Sequence, residues 1–418
     1  MTEQVDTVIV GAGHAGLTVS YFLSQLGQHH LILERGQIGE RWHSERWDSF
    51  CFQFPNWTME LPGFKYQCDD LNAFASGREV VRFIQEYATV IDAPVRTGVT
   101  VKVLERATGT GHYQLQTTSG VIEASNVVIA TGSRHEGSLP ALNSDIPSDI
   151  YQVHSSAYRN SNELPLGSVL VVGSGASGYQ IAEELHHDGR QVYLCVGRHR
   201  RLPRRYRGHD YLWWNVELGL YDRRRIDLPP AANQAAAVPP GPLLTGVDGG
   251  HDVDFRKMAA NGMVLLGRLA GVRGRTLMIA PDLAEKLDAG DTWFNSFKQA
   301  VDAHVKETGM DVPAESPSPA PRNPAEAQHP IRELDLDSAG IQSIVWATGH
   351  RFNYDWVHLP VFNDRHEPVH DRGVAELPGI YFLGLRWLYR LRSSFLALSG
   401  PGEDAEYLAA RIAARTGC

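Results

Sequence analysis

The sequence is short of cysteine. Cys51, Cys68, Cys195 and Cys418 are the four in 418 residues. No CxxC pair occurs and no Cys/His spacing suits zinc, which excludes a disulfide scaffold and a structural metal site. No apolar run approaches the ~18 residues that a membrane span needs. The opening stretch, MTEQVDTVIVGAG, has neither the basic start nor the apolar core of a signal peptide, so a cytoplasmic protein is expected. Basic charge is also in deficit. Against 48 Asp and Glu stand 39 Lys and Arg, a net charge of −9. Such a chain is a poor nucleic-acid binder unless its basic residues cluster. With 43% hydrophobic and 21% charged residues, it is neither disordered, collagen-like nor coiled coil. At roughly 100–200 residues per domain, its length holds about two to four domains.

One pattern occurs twice. Thr7-Val8-Ile9-Val10 leads into GAGHAG at 11–16, then LTVSYFLSQLG and LILERG. Val169-Leu170-Val171-Val172 leads into GSGASG at 173–178, then YQIAEELHHDG and VYLCVG. Each reads as a buried strand, a glycine turn, an amphipathic helix and a second strand. Ile181, Ala182 and Leu185 share one helix face, and Gly27 and Gly189 stand where a helix C-cap belongs. A second repeat supports the duplication: Val127–Gly132 and Ile344–Gly349 both end a strand-like run with Ala-Thr-Gly. The stretches 229–242 and 312–330 are rich in Pro and Ala and read as irregular loops.

The first turn has the spacing of a dinucleotide site. Gly11 permits the tight turn, Gly13 lets a pyrophosphate approach the backbone, and Gly16 lets the helix pack on the sheet. Glu34 follows about 20 residues later, where a carboxylate binds a ribose hydroxyl pair, with Arg35 beside it. The second turn has Gly173, Gly175, Ser177 and Gly178 in the same places, but no acid at its strand end. Val196, Gly197 and Arg198 stand there instead. A carboxylate would repel a 2′-phosphate, whereas arginine pairs with it. The site is therefore expected to take NADP(H), with Arg198 the first-choice phosphate ligand and Arg201 the second. Six arginines lie in 198–207, and most of them read as a solvated basic loop. Two such sites imply a tightly held FAD and an exchangeable NADPH, with the redox chemistry on the cofactors. The Ala-Thr-Gly ends, Thr131-Gly132 and Thr348-Gly349, belong to the expected cofactor sites. A relay to a CxxC pair has no residues to use.

These motifs, in this order along the whole chain, resemble the class B flavin-containing monooxygenases. The chain is most similar to the bacterial branch often labelled as flavoproteins of potassium transport, through its ERW, PNW, LPRRYRG and YFLGL stretches. The family fingerprint FxGxxxHxxxY is reduced here to His154 and Tyr158, with Ser148 and Ile150 at its Phe and Gly positions. The resemblance implies that Arg41-Trp42, in GERW, lies near the FAD pyrophosphate. It implies that Asn56, in FPNW, faces the reactive edge of the flavin as a catalytic group. Gly384, in FLG, and Asp404, at the start of a C-terminal helix, then stand at the cofactor, the helix aimed at the flavin's pyrimidine end. Trp213 and Trp214 read as core or loop packing, with a substrate channel as the alternative.

The resemblance implies an NADPH-dependent FAD monooxygenase that forms a flavin C4a-(hydro)peroxide. One atom of dioxygen would pass to a small organic substrate, by N- or S-oxygenation or by Baeyer–Villiger insertion into a ketone. A flavin reductase or diaphorase, and a redox-sensing flavoprotein, remain open beside it. The fold expected is α/β, with two doubly wound Rossmann-like domains, the second inserted in the first: FAD-binding over 1–160 and 335–418, NADP-binding over 161–334. The partners expected are a small-molecule substrate and dioxygen, with no nucleic acid and no membrane span; a homo-oligomer is compatible with the family.

Overall fold

Thr7 to Val10 are buried without a break, as a strand covered on both faces must be. In the computed structural model, which describes residues 2–109, 111–227, 240–315, 322–392 and 398–416, this strand lies inside a large sheet. The order is His370–Asp371, Val374–Ala375, Ile380–Phe382, Gly120–Ile129, Glu3–Val10, His30–Leu33 and Val95–Arg96. The last five run parallel. The antiparallel pair Val101–Arg106 and Tyr113–Thr117 feeds into Gly120–Ile129.

A second sheet has five parallel strands: Tyr151–His154, Ile341–Trp346, Ser168–Val172, Val192–Cys195 and Val264–Leu266. Both ends of the chain build the first sheet and the middle builds the second, so the α/β, doubly wound and inserted architecture is present. The helices His14–Gln25 and Ala176–His187 follow the two glycine turns. Gly27 and Gly189 take positive φ just beyond their ends, the conformation that lets a helix stop.

The chain crosses between sheets twice, through Glu136–Gly137 and His350–Arg351. These two crossings pair antiparallel. Asn353 Nδ2 donates to Glu136, and Arg351 pairs with the same carboxylate at 2.8 Å. Of the expected loops, 229–239 and 316–321 lie outside the described residues, as does Cys418. Ala325–Gln328, inside the second loop, forms a short helix.

The helix Gly402–Thr416 buries Ala405, Leu408, Ala409 and Ile412 and packs on the first glycine helix. It also buries Asp404, whose Oδ1 has no hydrogen-bond partner and lies 3.7 Å from Arg372 Nε. Burial pushes this carboxyl up to about 7, against the pull of Arg372 and with the push of Glu403. The folded chain thus keeps a proton that the unfolded chain has already lost above its usual value of 3.8. Stability from this group is full below 3.8 and lost as pH rises through 7. Asp404→Asn should therefore gain several degrees of thermal midpoint over the parent as pH rises from about 4 to about 8. Scanning calorimetry across that range checks it; a constant difference would refute it.

Candidate dinucleotide-binding site

At the first turn the backbone is packed on itself. Gly11 has φ +111°, and a Cβ there would lie 2.7 Å from the Ala130 carbonyl oxygen. A Cβ on Gly16 would overlap the carbonyl oxygen of Gly11. Gly13, by contrast, faces open space, and the helix behind it has no side-chain cap. Its first N–H groups are therefore left for an outside acceptor. Glu34 is buried over this turn. Its Oε2 accepts from Ala12 N–H at 2.8 Å and its Oε1 from Gly36 N–H at 2.9 Å. Each oxygen keeps a lone pair.

The structure gathers further residues around that helix N-terminus. A Cβ on Gly384 would touch Ala15 Cβ at 3.2 Å and Gly132 Cα at 3.8 Å. Gly132 and Thr131 are tied to His135 Nε2 at 2.8 and 3.1 Å. Gly39 N–H donates to Ala12 O at 3.1 Å, which brings the Arg41-Trp42 turn alongside. Arg35 and Arg41 reach Glu45 at only 4.0 and 3.5 Å. Arg41 Nη1 is buried without a hydrogen bond, and burial lowers the pKa of this guanidinium. Trp42 packs edge-on against Phe52 at 5.7 Å, with Arg46 over its ring. Asn56, buried after Pro55, donates through Nδ2 to Asp70 O at 3.0 Å and leaves Oδ1 buried and unpartnered.

The second turn repeats the first. Gly173 has φ +103°, with a Cβ position 2.5 Å from Ala347 O, and a Cβ on Gly178 would overlap Gly173 O. Gly175 faces open space at an uncapped helix start, with Ser177 half-buried in the first turn. Ser174 Oγ accepts from Gly197 N–H at 2.9 Å. Thr348 donates to Ser138 O, and Gly349 O accepts from Ser138 N–H at 2.9 Å. A cavity of about 190 Å³ opens at these strand ends, lined by Gly173, Val196, Gly197, Arg268, Trp346 and Thr348.

The basic run is not a solvated loop. Arg201 pairs with Asp254 at 2.8 Å and Asp291 at 2.9 Å, so its charge is neutralised within the fold. Arg204 is fully buried, paired with Asp210, and donates to Gln53 O at 2.7 Å. Arg207 pairs with Asp302 at 2.7 Å; Arg200 donates to Pro240 O and Arg205 to Gly249 O. Asp291 and Asp302 come from the 26-residue helix Leu283–Thr308, whose role the sequence did not disclose. Arg198 is exposed and has no partner among the described residues. Trp214 is buried with Nε1 donating to Tyr206 O at 2.7 Å, and Trp213 stacks on His209 at 3.9 Å, so both pack.

His154 and Tyr158 sit where the two units meet. His154 Nε2 donates to Gly349 O at 3.0 Å, and Nδ1 accepts from Ser156 N–H at 3.1 Å. Its ring fills the place where a Cβ on Gly137 would stand, 2.5 Å from Nδ1. Tyr158 donates to Glu184 at 2.8 Å, on the second glycine helix, and Ser49 donates to the same carboxylate. Both residues position the chain crossings and the second helix. Arg46, Arg134, Arg386 and His350, near the first turn, were not singled out by the sequence patterns. For two of them a signal existed: Arg134 and Arg386 each follow a motif glycine by two residues.

Comparison with known proteins agrees with this architecture. The family described as pyridine nucleotide-disulphide oxidoreductase matches residues 8–210. An uncharacterized CzcO-like oxidoreductase of Geobacillus kaustophilus is 30% identical over 411 residues, 98% of each chain. A flavin-containing monooxygenase from Stenotrophomonas maltophilia superposes with TM-score 0.66 at 17% identity, over 99% of this chain and 100% of its own. The OTEMO complex with FAD and NADP gives 0.54 at 15%, over 99% and 86%. No helix among the described residues is long and apolar enough to cross a membrane. The chain belongs to the CzcO-like oxidoreductases and has the two-Rossmann fold of the flavin-containing monooxygenases.

Proposed function

We propose that the chain is an NADPH-dependent FAD monooxygenase acting on a small organic substrate, at an amine nitrogen, a sulfide sulfur or a ketone. The observation that carries this reading is the pair of glycine turns with open helix starts, one under a fixed carboxylate and the other beside an unpartnered arginine. The residues fit the two cofactors. Gly13 and Gly175 leave the space, Asn56 Oδ1 is a buried acceptor without a partner, and Arg41 Nη1 has no hydrogen bond and only a 3.5 Å ion pair with Glu45. Burial pushes the thiols of Cys51 and Cys195 up to about 11 and 12. Both are protonated at neutral pH and are poor relays for electrons, which favours a small acceptor.

The large-sheet unit would hold FAD and the five-stranded unit NADPH. We place their boundaries at the paired crossings, near 137 and 350, because Tyr151–His154 and Ile341–Trp346 pair inside the five-stranded sheet. When bound, FAD supplies the redox chemistry between NADPH and dioxygen. The chain's own tasks are to bind, orient and enclose. Glu34 takes the ribose hydroxyls, held still by two backbone donors. The first helix start, with Arg35 and Arg41, takes the pyrophosphate. Thr131, Gly132 and Gly384 form the backbone floor beside it, and Trp42 shields one side. Asn56 Oδ1 accepts an N–H at the reactive edge. Asp404 begins the helix behind the flavin. Gly173, Gly175, Ser177 and Gly178 cradle the second pyrophosphate, with Thr348 and Gly349 opposite, and Arg198 takes the 2′-phosphate. Arg201 has no place in this site.

The test is to supply ¹⁸O₂ and NADPH to the yellow protein with an amine, a sulfide and a ketone panel. Label in a product, matched to NADPH consumed, supports the proposal. Full release of hydrogen peroxide with every compound would overturn it in favour of a reductase. Arg198→Glu should lower kcat/KM for NADPH about 10- to 100-fold, the worth of a charged hydrogen bond, and leave NADH almost unchanged. Anaerobic flavin reduction by each nucleotide reads this directly. Arg201→Ala should lower the thermal midpoint instead and leave the NADPH/NADH ratio alone. Glu34→Ala should purify with less than half the parent's FAD, read from the flavin-to-protein absorbance ratio after gel filtration.

A further inference from the structure

Two neighbouring strands of the large sheet end alike. Gly120–Ile129 runs through Thr131-Gly132 to Arg134, and its parallel partner Ile380–Phe382 runs through Gly384 to Arg386. Gly384 packs on Gly132 and on Ala15 of the first glycine helix. The register therefore carries both arginines to the carboxyl edge of the sheet, where open α/β sheets bind their ligands.

Neither guanidinium has a hydrogen bond or ion pair among the described residues. Arg134 is half-buried and Arg386 is exposed. Yet enclosure by protein lowers the pKa of both, and Arg386 lowers that of Arg134 further. Arg134 thus lies in the field of Arg386. The carboxylate that acts on Arg134 is Glu45. It is already shared by Arg35, Arg41 and Arg46. His350 lies in the same field with Nε2 buried and unpartnered. Like charges gathered without enough counter-charge raise the energy of the unliganded protein, and a bound anion relieves it.

On the reading above, each dinucleotide pyrophosphate already has a helix start of its own, so the anion that completes this cluster is neither of them. We propose that Arg134 and Arg386 together bind the carboxylate of the substrate, which makes the substrate class an organic acid. Two planar forks on adjacent strands suit a carboxylate, each offering paired N–H donors to it.

The experiment is calorimetric titration of the purified holoenzyme, without NADPH, using phenylacetate and its neutral isostere phenylacetamide. The acid should bind at least tenfold more tightly than the amide. Arg134→Gln and Arg386→Gln should each weaken the acid at least tenfold, leaving FAD content and NADP⁺ affinity unchanged. Arg134→Lys and Arg386→Lys keep the charge but not the fork and should bind the acid between the parent and the glutamine variants, which separates loss of charge from loss of fold. Equal binding of acid and amide, including no binding of either, would overturn the proposal. So would glutamine variants that bind the acid normally, or that lose FAD or NADP⁺ instead, since a cofactor phosphate would then be the anion. No turnover enters this measurement. Failure to oxygenate any compound would therefore sink the monooxygenase reading and leave this one to its own result.

Discussion

The rest of the site depends on a contact between backbones. Gly16 and Gly178 let each helix sit against the carbonyl of the glycine that opens its own turn. Any side chain at either position would push the helix off the strand end. The close approach aims the unsatisfied N–H groups of the first turn at the carboxyl edge of the sheet. Gly13 and Gly175 then keep that space clear. Glu34 uses the same geometry, because its two oxygens bind the N–H of Ala12 within the turn and that of Gly36 beyond the second strand. Strand, turn, helix and acid are thus one rigid unit, built twice with different endings.

Electrostatics sort the arginines into two kinds. Arg201 and Arg207 pair with carboxylates on distant segments, Asp254, Asp291 and Asp302, and Arg204 with the nearby Asp210, so their charge is neutralised inside the fold. Such pairs are costly to break, since each leaves a charge with poor solvation. Arg198, Arg134 and Arg386 have no such partners, and all three stand at the ends of sheet strands.

What was legible in the sequence was local. A strand, a glycine turn and a helix occupy adjacent residues, so their spacing shows in the order of letters. The duplicated α/β plan followed from two copies of that order, and the repeated Ala-Thr-Gly ends fall on a strand of each sheet. The basic run was misjudged for the opposite reason. Its pairing partners lie some fifty to a hundred residues along the chain, and nothing local distinguishes a solvated arginine from a buried pair. The strand Ile341–Trp346 illustrates the same limit, since its letters announce a strand but not which sheet it joins. Arg134 and Arg386 show a middle case. Their common position after a motif glycine was visible, but only the strand register brings the two positions together.

The two crossings add a constraint that neither sheet supplies alone. Two separate linkers would let the units turn about any axis, whereas two strands paired to each other behave as one ribbon. His135 and His154 grip that ribbon from either side. His135 accepts from Asn353 N–H at 2.9 Å and His154 donates to Gly349 O at 3.0 Å. Burial lowers the pKa of both, so at neutral pH each ring keeps one donor and one acceptor nitrogen. That is the form their hydrogen bonds need, because a doubly protonated ring could not accept from a backbone N–H. Gly137 completes the arrangement, since the His154 ring occupies the place of its missing side chain. The ribbon begins two residues after Arg134, so the carboxyl edge of the large sheet and the join between the units share one short stretch of chain.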